Sequence, residues 1–209
     1  MLELAGYTDD EPPRGARVEE VPPGWEERWR EFHRPVLVGP LWIGPPWVPP
    51  PDGVPAVVID PGRAFGTGAH ATTRLCIELV AELEPTSLLD VGCGSGVVAI
   101  AAARLGFSPI VAVDVDAAAV EATVRNAAAN DVTFVVRRLD AESDALPRAD
   151  VVVANISLDQ VESVLARVDA RTVVAAGYLE RDMPRGGPFR RRTRRTREGW
   201  AADVFERAQ

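Results

Sequence analysis

Apolar residues in this chain fall into short runs broken by glycine, proline and charge. Leu88 to Val91 leads through Gly92, Gly94 and Gly96 into the alanine-rich Val97 to Leu105. That order predicts buried strand, tight turn and helix, the start of a βαβ unit. Ile110 to Val113 predicts a second strand and ends in Asp114, twenty-two positions after Gly92. Ala117 to Asn130 is helical in composition, and Val132 to Val136 is a β-branched and aromatic strand that ends near Asp140. Ala149 to Ala154 and Arg171 to Ala176 predict two more strands, with a helix from Ser157 to Val168 between them. Gly177 to Pro188 is too short and too rich in proline and glycine for a full helix. Phe189 to Arg197 and Trp200 to Phe205 then predict a closing hairpin that turns near Glu198 and Gly199.

Upstream the periodicity is weaker. Residues 1–24 are acidic and proline-bearing and read as a flexible lead. Trp25, Trp29 and Phe32 form the stripe of one short amphipathic helix over Trp25–Arg34. Prolines then make a stiff connector, in which Leu41 to Ile43 reads as a short edge strand. Ala56 to Ile59 is strand-like. A loop marked by Gly62, Gly66 and Gly68 follows, and then a helix with Leu75, Leu79 and Leu83 on one face and Thr72 or Thr73 as its expected cap. The expected division is a lead over 1–24, a short helix and connector over 25–55, and one main domain over 56–209.

A length of 209 residues and 46% hydrophobic content suit one good core with appendages. Net charge of −8 argues against a general nucleic-acid binder and against DNA as partner. All 23 basic residues are arginine, and six lie in FRRRTRRTR from Phe189 to Arg197. That run fits either a local grip on RNA or a solvated outer strand. Cys76 and Cys93 give no disulfide framework or zinc spacing, so reduced thiols and no metal are expected. No apolar run approaches a membrane span and no targeting pattern opens the chain, so the cytoplasm is the expected compartment.

In a parallel sheet both strand ends point one way, so the glycine turn and Asp114 face one crevice. Glycines admit close approach of a ligand to the backbone. The first helical turn offers unpaired N–H groups, and an acidic residue at the second strand end suits a ribose. The dinucleotide fingerprint G-x-G-x-x-G fails at Val97. The turn reads D-x-G-x-G-x-G from Asp90 to Gly96, which resembles the cofactor loop of S-adenosylmethionine-dependent methyltransferases.

The motifs DPGRAFGTGAHATTRLC, LLDVGCGSGVVAIAAARLG, VAVDVDAAAVEATVRNAAAN and ADVVVANI together resemble the ribosomal protein L-eleven methyltransferase family. The resemblance covers about residues 25–205. It implies a Rossmann-like class I methyltransferase fold: α/β, with a central, mostly parallel seven-stranded sheet and helices on both faces. It also implies methyl transfer from S-adenosyl-L-methionine to lysine and α-amino nitrogens of ribosomal protein L-eleven. By the family's pattern, Thr73, Gly92, Gly94 and Asp114 contact the cofactor, and Asn155 lies beside the transferable methyl, toward cofactor and substrate alike. No general base is identified.

Several positions carry two readings. His70 reads first as a structural histidine bonded within its loop and second as a catalytic one. Asp140 is either an adenine-edge residue or a solvated turn residue, and Asn155 either serves the site or caps the following helix. The chain departs from the family at Ala69 and Ala71, where threonine and proline are usual, and at Ser157 and Leu158. Only about two dozen irregular residues stand where members usually carry a substrate-capturing domain. Two rivals follow: a methyltransferase for another protein or small amine, and an inactive cofactor-binding partner subunit. The strand end N-I-S-L lacks the prolines and aromatic of N-P-P-Y or D-P-P-Y, which speaks against DNA-base and glutamine acceptors.

Overall fold

The computed structural model describes residues 33–60 and 68–208. The acidic lead, nearly all of the helix expected over Trp25–Arg34, and Gly62 and Gly66 of the loop lie outside the described residues. In chain order the elements are β1 (Val36–Val38), β2 (Leu41–Gly44), β3 (Ala56–Val58), α1 (Ala71–Val80), β4 (Leu88–Val91), α2 (Val97–Arg104) and β5 (Ile110–Asp114). There follow α3 (Ala117–Ala129), β6 (Val135–Arg138), β7 (Val151–Asn155), α4 (Leu158–Arg167), β8 (Thr172–Leu179), β9 (Phe189–Arg197) and β10 (Trp200–Arg207).

Seven strands form one sheet in the order β6-β5-β4-β7-β8-β10-β9. The first five are parallel, and the β9–β10 hairpin closes the sheet antiparallel to β8. The chain leaves β4 toward β5 and β6, then crosses back to β7 on the other side. The carboxyl ends of β4, β5 and β7 therefore flank a topological switch point, where open α/β sheets receive ligands.

Alternation along the strands builds a core on each face. Leu88, Ile110, Ala112, Val151 and Val153 pack with Leu75, Cys76, Leu79, Val97, Ile100 and Ala127 of α1, α2 and α3. Leu89, Val91, Val113, Val152 and Ala154 pack with Val161, Val164 and Leu165 of α4. This is the α/β, mostly parallel seven-stranded architecture of the Rossmann-like methyltransferase class.

Four local expectations change. The segment read as a connector holds a further strand, β1, and Leu41–Gly44, expected at an edge, lies in the middle of a three-stranded sheet, since β1 pairs with β2 and β2 runs parallel to the expected strand β3. The strand expected from Val132 begins at Val135, because the Val132 N–H is drawn to the Ala127 carbonyl (3.1 Å) at the end of α3. The strand expected to stop at Ala176 continues to Leu179, because Tyr178 and Leu179 pair with Ala201 and Trp200 of β10. Thr72 and Thr73 lie inside α1, whose cap is the His70 side chain, accepting the Thr72 N–H.

The arginine run forms β9 at the sheet edge, and among the described residues carboxylates meet five of its six guanidinium groups. Arg192, Arg195 and Arg197 pair with Glu206, Glu82 and Glu78 at 2.9, 2.7 and 2.9 Å. Arg191 and Arg194 both approach the fully buried Asp203 at 3.8 Å, and Asp203 also accepts the Tyr178 hydroxyl at 2.8 Å.

Candidate active site

The glycine turn closes because two successive amides share one acceptor. Gly92 and Cys93 N–H donate to the Val113 carbonyl at 2.9 and 3.1 Å, which ties the end of β4 to β5. Gly92 adopts φ +72°, and a Cβ there would stand 2.4 Å from Cγ2 of Ile156. Glycine is therefore required at this position by both backbone and space.

Helix α2 begins at Gly96, which offers no side-chain cap. Asp90, from the strand before the turn, supplies one: its Oδ2 accepts the Ala99 N–H at 3.1 Å. Asp90 is 2% exposed. Burial pushes its carboxyl up to about 7; the Ala99 N–H works against that rise and the Asp114 charge adds to it.

Asp114 ends β5 with both oxygens directed by backbone donors. Oδ2 accepts the Gly94 N–H at 2.9 Å and Oδ1 the Asp116 N–H at 3.0 Å. The carboxylate is thus held against the turn with lone pairs left for a diol.

Helix α3 supports the turn from below. The Thr123 hydroxyl is 3.1 Å from the Gly94 carbonyl, and Asn126 Nδ2 donates to the Ser95 carbonyl at 2.9 Å. Asn126 Oδ1 accepts the Asp60 N–H at 3.1 Å, and Asn130 bonds both the N–H and the carbonyl of Val58 at 2.7 Å. These three side chains connect the turn to the strand that leads into the glycine loop. Sequence reading passed over them. The available signal was three polar residues spaced i, i+3, i+7 on one face of an alanine-rich helix.

Asn155 ends β7, and its Nδ2 donates to the Thr73 hydroxyl at 3.3 Å. It does not cap α4, because Ser157 and Gln160 form that helix's capping box. His70 Nδ1 lies 2.8 Å from the Thr72 hydroxyl, and its ring meets Trp200 edge-on at 5.0 Å. The structural reading of His70 therefore accounts for its place.

Thr73, Gly92, Gly94, Asp114 and Asn155 all line one cavity of about 290 Å³ at the carboxyl ends of the strands. Asp90, Leu139, Asp140, Ile156 and Gln160 share its wall. Asp140 is at once wall and turn residue: the Glu142 N–H and the Ser143 hydroxyl donate to it at 2.9 and 2.8 Å and hold its carboxyl below the usual range. Cys93 also faces the cavity, but burial chiefly, with the Asp90 charge, pushes its thiol up to about 12, so it is chemically quiet. Cys76 and Cys93 are both free thiols. Among the described residues no group of three metal-ligating side chains could hold an ion, and no helix is long and apolar enough to cross a membrane.

A family model described as Ribosomal protein L11 methyltransferase (PrmA) matches residues 12–180. A ribosomal protein L11 methyltransferase of Symbiobacterium thermophilum is 42% identical over 177 residues, covering 81% of this chain and 57% of that protein. One from Pelobacter propionicus is 39% identical over 210 residues, covering 88% of this chain and 67% of that protein. The crystal structure of a ribosomal protein L11 methylase from Lactobacillus delbrueckii subsp. bulgaricus superposes with a TM-score of 0.72 at 25% identity. That match covers 85% of this chain and all of the other. The chain spans a little over half the length of the first of these relatives. With the model match over most of its length and the glycine turn, Asp114 and Asn155 gathered at one cavity, the chain belongs to the ribosomal protein L11 methyltransferase family.

Proposed function

We propose that this chain binds S-adenosyl-L-methionine in the cavity at the strand ends and transfers its methyl group to lysine or α-amino nitrogens of ribosomal protein L11. The observation that carries the reading is the convergence of Thr73, the Gly92–Gly94 turn, Asp114 and Asn155 on one cavity. Its volume of about 290 Å³ suits a small cofactor held in a cleft.

The residues present fit that cofactor. Asp114 offers carboxylate lone pairs to two ribose hydroxyls, and the glycine turn leaves its backbone open to close approach. The cofactor supplies an electrophilic methyl on a sulfonium. The chain's part is alignment. Because Asn155 Nδ2 is engaged by Thr73, its Oδ1 is the end of the carboxamide available to accept an N–H from an incoming amine. A free lysine amine titrates at about 10.4, and burial beside a cation favours its neutral, nucleophilic form. Orientation of the two reactants supplies most of the acceleration, and the proton leaves to water before attack.

The test is transfer of labelled methyl from S-adenosyl-L-methionine into purified ribosomal protein L11, wild type against Asp114→Ala, with mass mapping of the product. Label on lysine or the N-terminal amine, lost in the variant, is expected. Binding of the cofactor without label would overturn the acceptor and direct the search to another protein or a small amine.

A further inference from the structure

Gln160 lines the cavity from the first turn of α4, and its carboxamide has a fixed orientation. The Ser157 N–H approaches one end of the amide at 3.4 Å and the Ser157 hydroxyl the same end at 2.9 Å. A backbone N–H can only donate, so that end is Oε1. Nε2 is left with its N–H donors and, among the described residues, no partner. Ser157, a position at which the chain departs from the family's pattern, is what turns the amide this way.

The place of Gln160 along the cavity follows from its helix face. Arg167 lies two turns further on the same face of α4 and donates to the carbonyls of Ala141 and Asp144, so this face is turned to the segment after β6. Leu139, Asp140, Ala141 and Glu142 of that segment share the cavity wall with Gln160. In the sheet, β5 with Asp114 lies between β6 on one side and β4 and β7 on the other, and β7 ends in Asn155. In the cofactor the ribose likewise lies between base and sulfur. With the ribose on Asp114 and the sulfur toward Asn155, the base falls at the Leu139–Glu142 end, against Gln160.

Adenine presents one amino group and ring nitrogens N1, N3 and N7, which accept hydrogen bonds. The Asp140 and Glu142 carboxylates suit the amino group but offer a ring nitrogen nothing. Among the residues lining that end of the cavity, Gln160 carries the sole side-chain N–H.

We propose that Gln160 is a specificity-determining residue for the base of the cofactor, its Nε2 donating to one ring nitrogen of the adenine. The inference rests on the cofactor reading above. A site that hydrogen-bonds a ligand group rejects the analogue lacking it, because its own donor is left unpaired.

The experiment is calorimetric titration of the full chain with S-adenosylhomocysteine and with its 1-deaza, 3-deaza and 7-deaza analogues, in the wild type and two variants. Gln160→Glu keeps the acceptor of the capping box and removes the donor; Gln160→Leu removes the donor without adding charge. In the wild type, the analogue lacking the bonded nitrogen is expected to bind about tenfold more weakly than the parent, and in both variants that ratio is expected to fall to about one. Each ratio compares ligands on one protein, so lost helix stability does not imitate the result. Penalties that persist unchanged in either variant, or no penalty for any analogue in the wild type, would overturn the inference while leaving the cofactor reading intact. Absence of binding of the parent ligand by the wild type would remove the cofactor reading and this inference with it.

Discussion

The Asn155 carboxamide donates to the Thr73 hydroxyl at 3.3 Å across 82 positions of sequence. The bond joins the end of β7 to the first turn of α1 and fixes which end of the amide faces the cavity. On the proposed reading, alignment at the methyl depends on the helix α1 that carries Thr73.

Asn155→Ala is expected to leave the fold intact and lower methyl transfer by about two orders of magnitude, while donor affinity changes less than about tenfold. Single-turnover rates beside calorimetric Kd separate the two effects. Thr73→Val, which keeps shape and removes the acceptor, is expected to reproduce part of the rate loss. Unchanged single-turnover rates in both variants would contradict the alignment role.

Gly92 and Gly53 form a matched pair for testing the turn. Both have positive φ, +72° and +75°, but a Cβ at Gly92 meets Ile156 at 2.4 Å whereas one at Gly53 meets nothing within 4 Å. Gly53→Ala is expected to cost about 1 kcal/mol of backbone strain. Gly92→Ala adds overpacking and is expected to cost about 2–4 kcal/mol. Urea midpoints compare them, and equal losses would show that Ile156 yields freely.

Asn130 is 2% exposed and bonds the Val58 N–H, the Val58 carbonyl and the Asn126 carbonyl at 2.7 Å each. Asn130→Ala is expected to destabilise by about 2–4 kcal/mol by leaving buried backbone groups unpaired. Asn130→Asp, which keeps the acceptor for Val58 N–H but loses the donor, should also destabilise. Denaturant unfolding gives both values.

Stability should carry the imprint of Asp90. Its carboxyl is raised from 3.8 to about 7 on folding, so the folded state holds a proton there that the unfolded state has lost. This group's contribution is fully present below the unfolded value and is lost as pH rises to about 7, by a few kcal/mol. Asp140 and Asp150 act in the opposite sense, since their lowered carboxyls lose stabilisation as pH falls. Asp90→Asn is expected to gain on the wild type between pH 5 and pH 8 in thermal or urea unfolding. A constant difference over that range would contradict the buried, proton-bearing carboxyl.

The geometry of the candidate site was largely legible because it is local. Strand, glycine turn and helix succeed one another from Leu88 to Leu105, and Asp114 and Asn155 each sit at the end of an apolar run. What escaped sequence reading depends on distant partners. Asn130 reaches Val58 over 72 positions, and Arg195 and Arg197 find Glu82 and Glu78 over 113 and 119. The pairing of β2 with β3 spans a proline-rich segment whose composition argues against regular structure. Gly177, which reads as a strand terminator, continues β8, and a Cβ there would strike the Ile156 carbonyl oxygen at 1.9 Å. Its composition signalled a break, while the close approach of β7 to β8 accounts for the glycine.

The most direct measurement is a crystal structure of this chain with S-adenosylhomocysteine bound. The account predicts the ribose hydroxyls on Asp114, the backbone of the Gly92–Gly94 turn against the ligand, and the sulfur facing Asn155. A ligand bound elsewhere, or seated in the cavity with its sulfur turned away from Asn155, would contradict it.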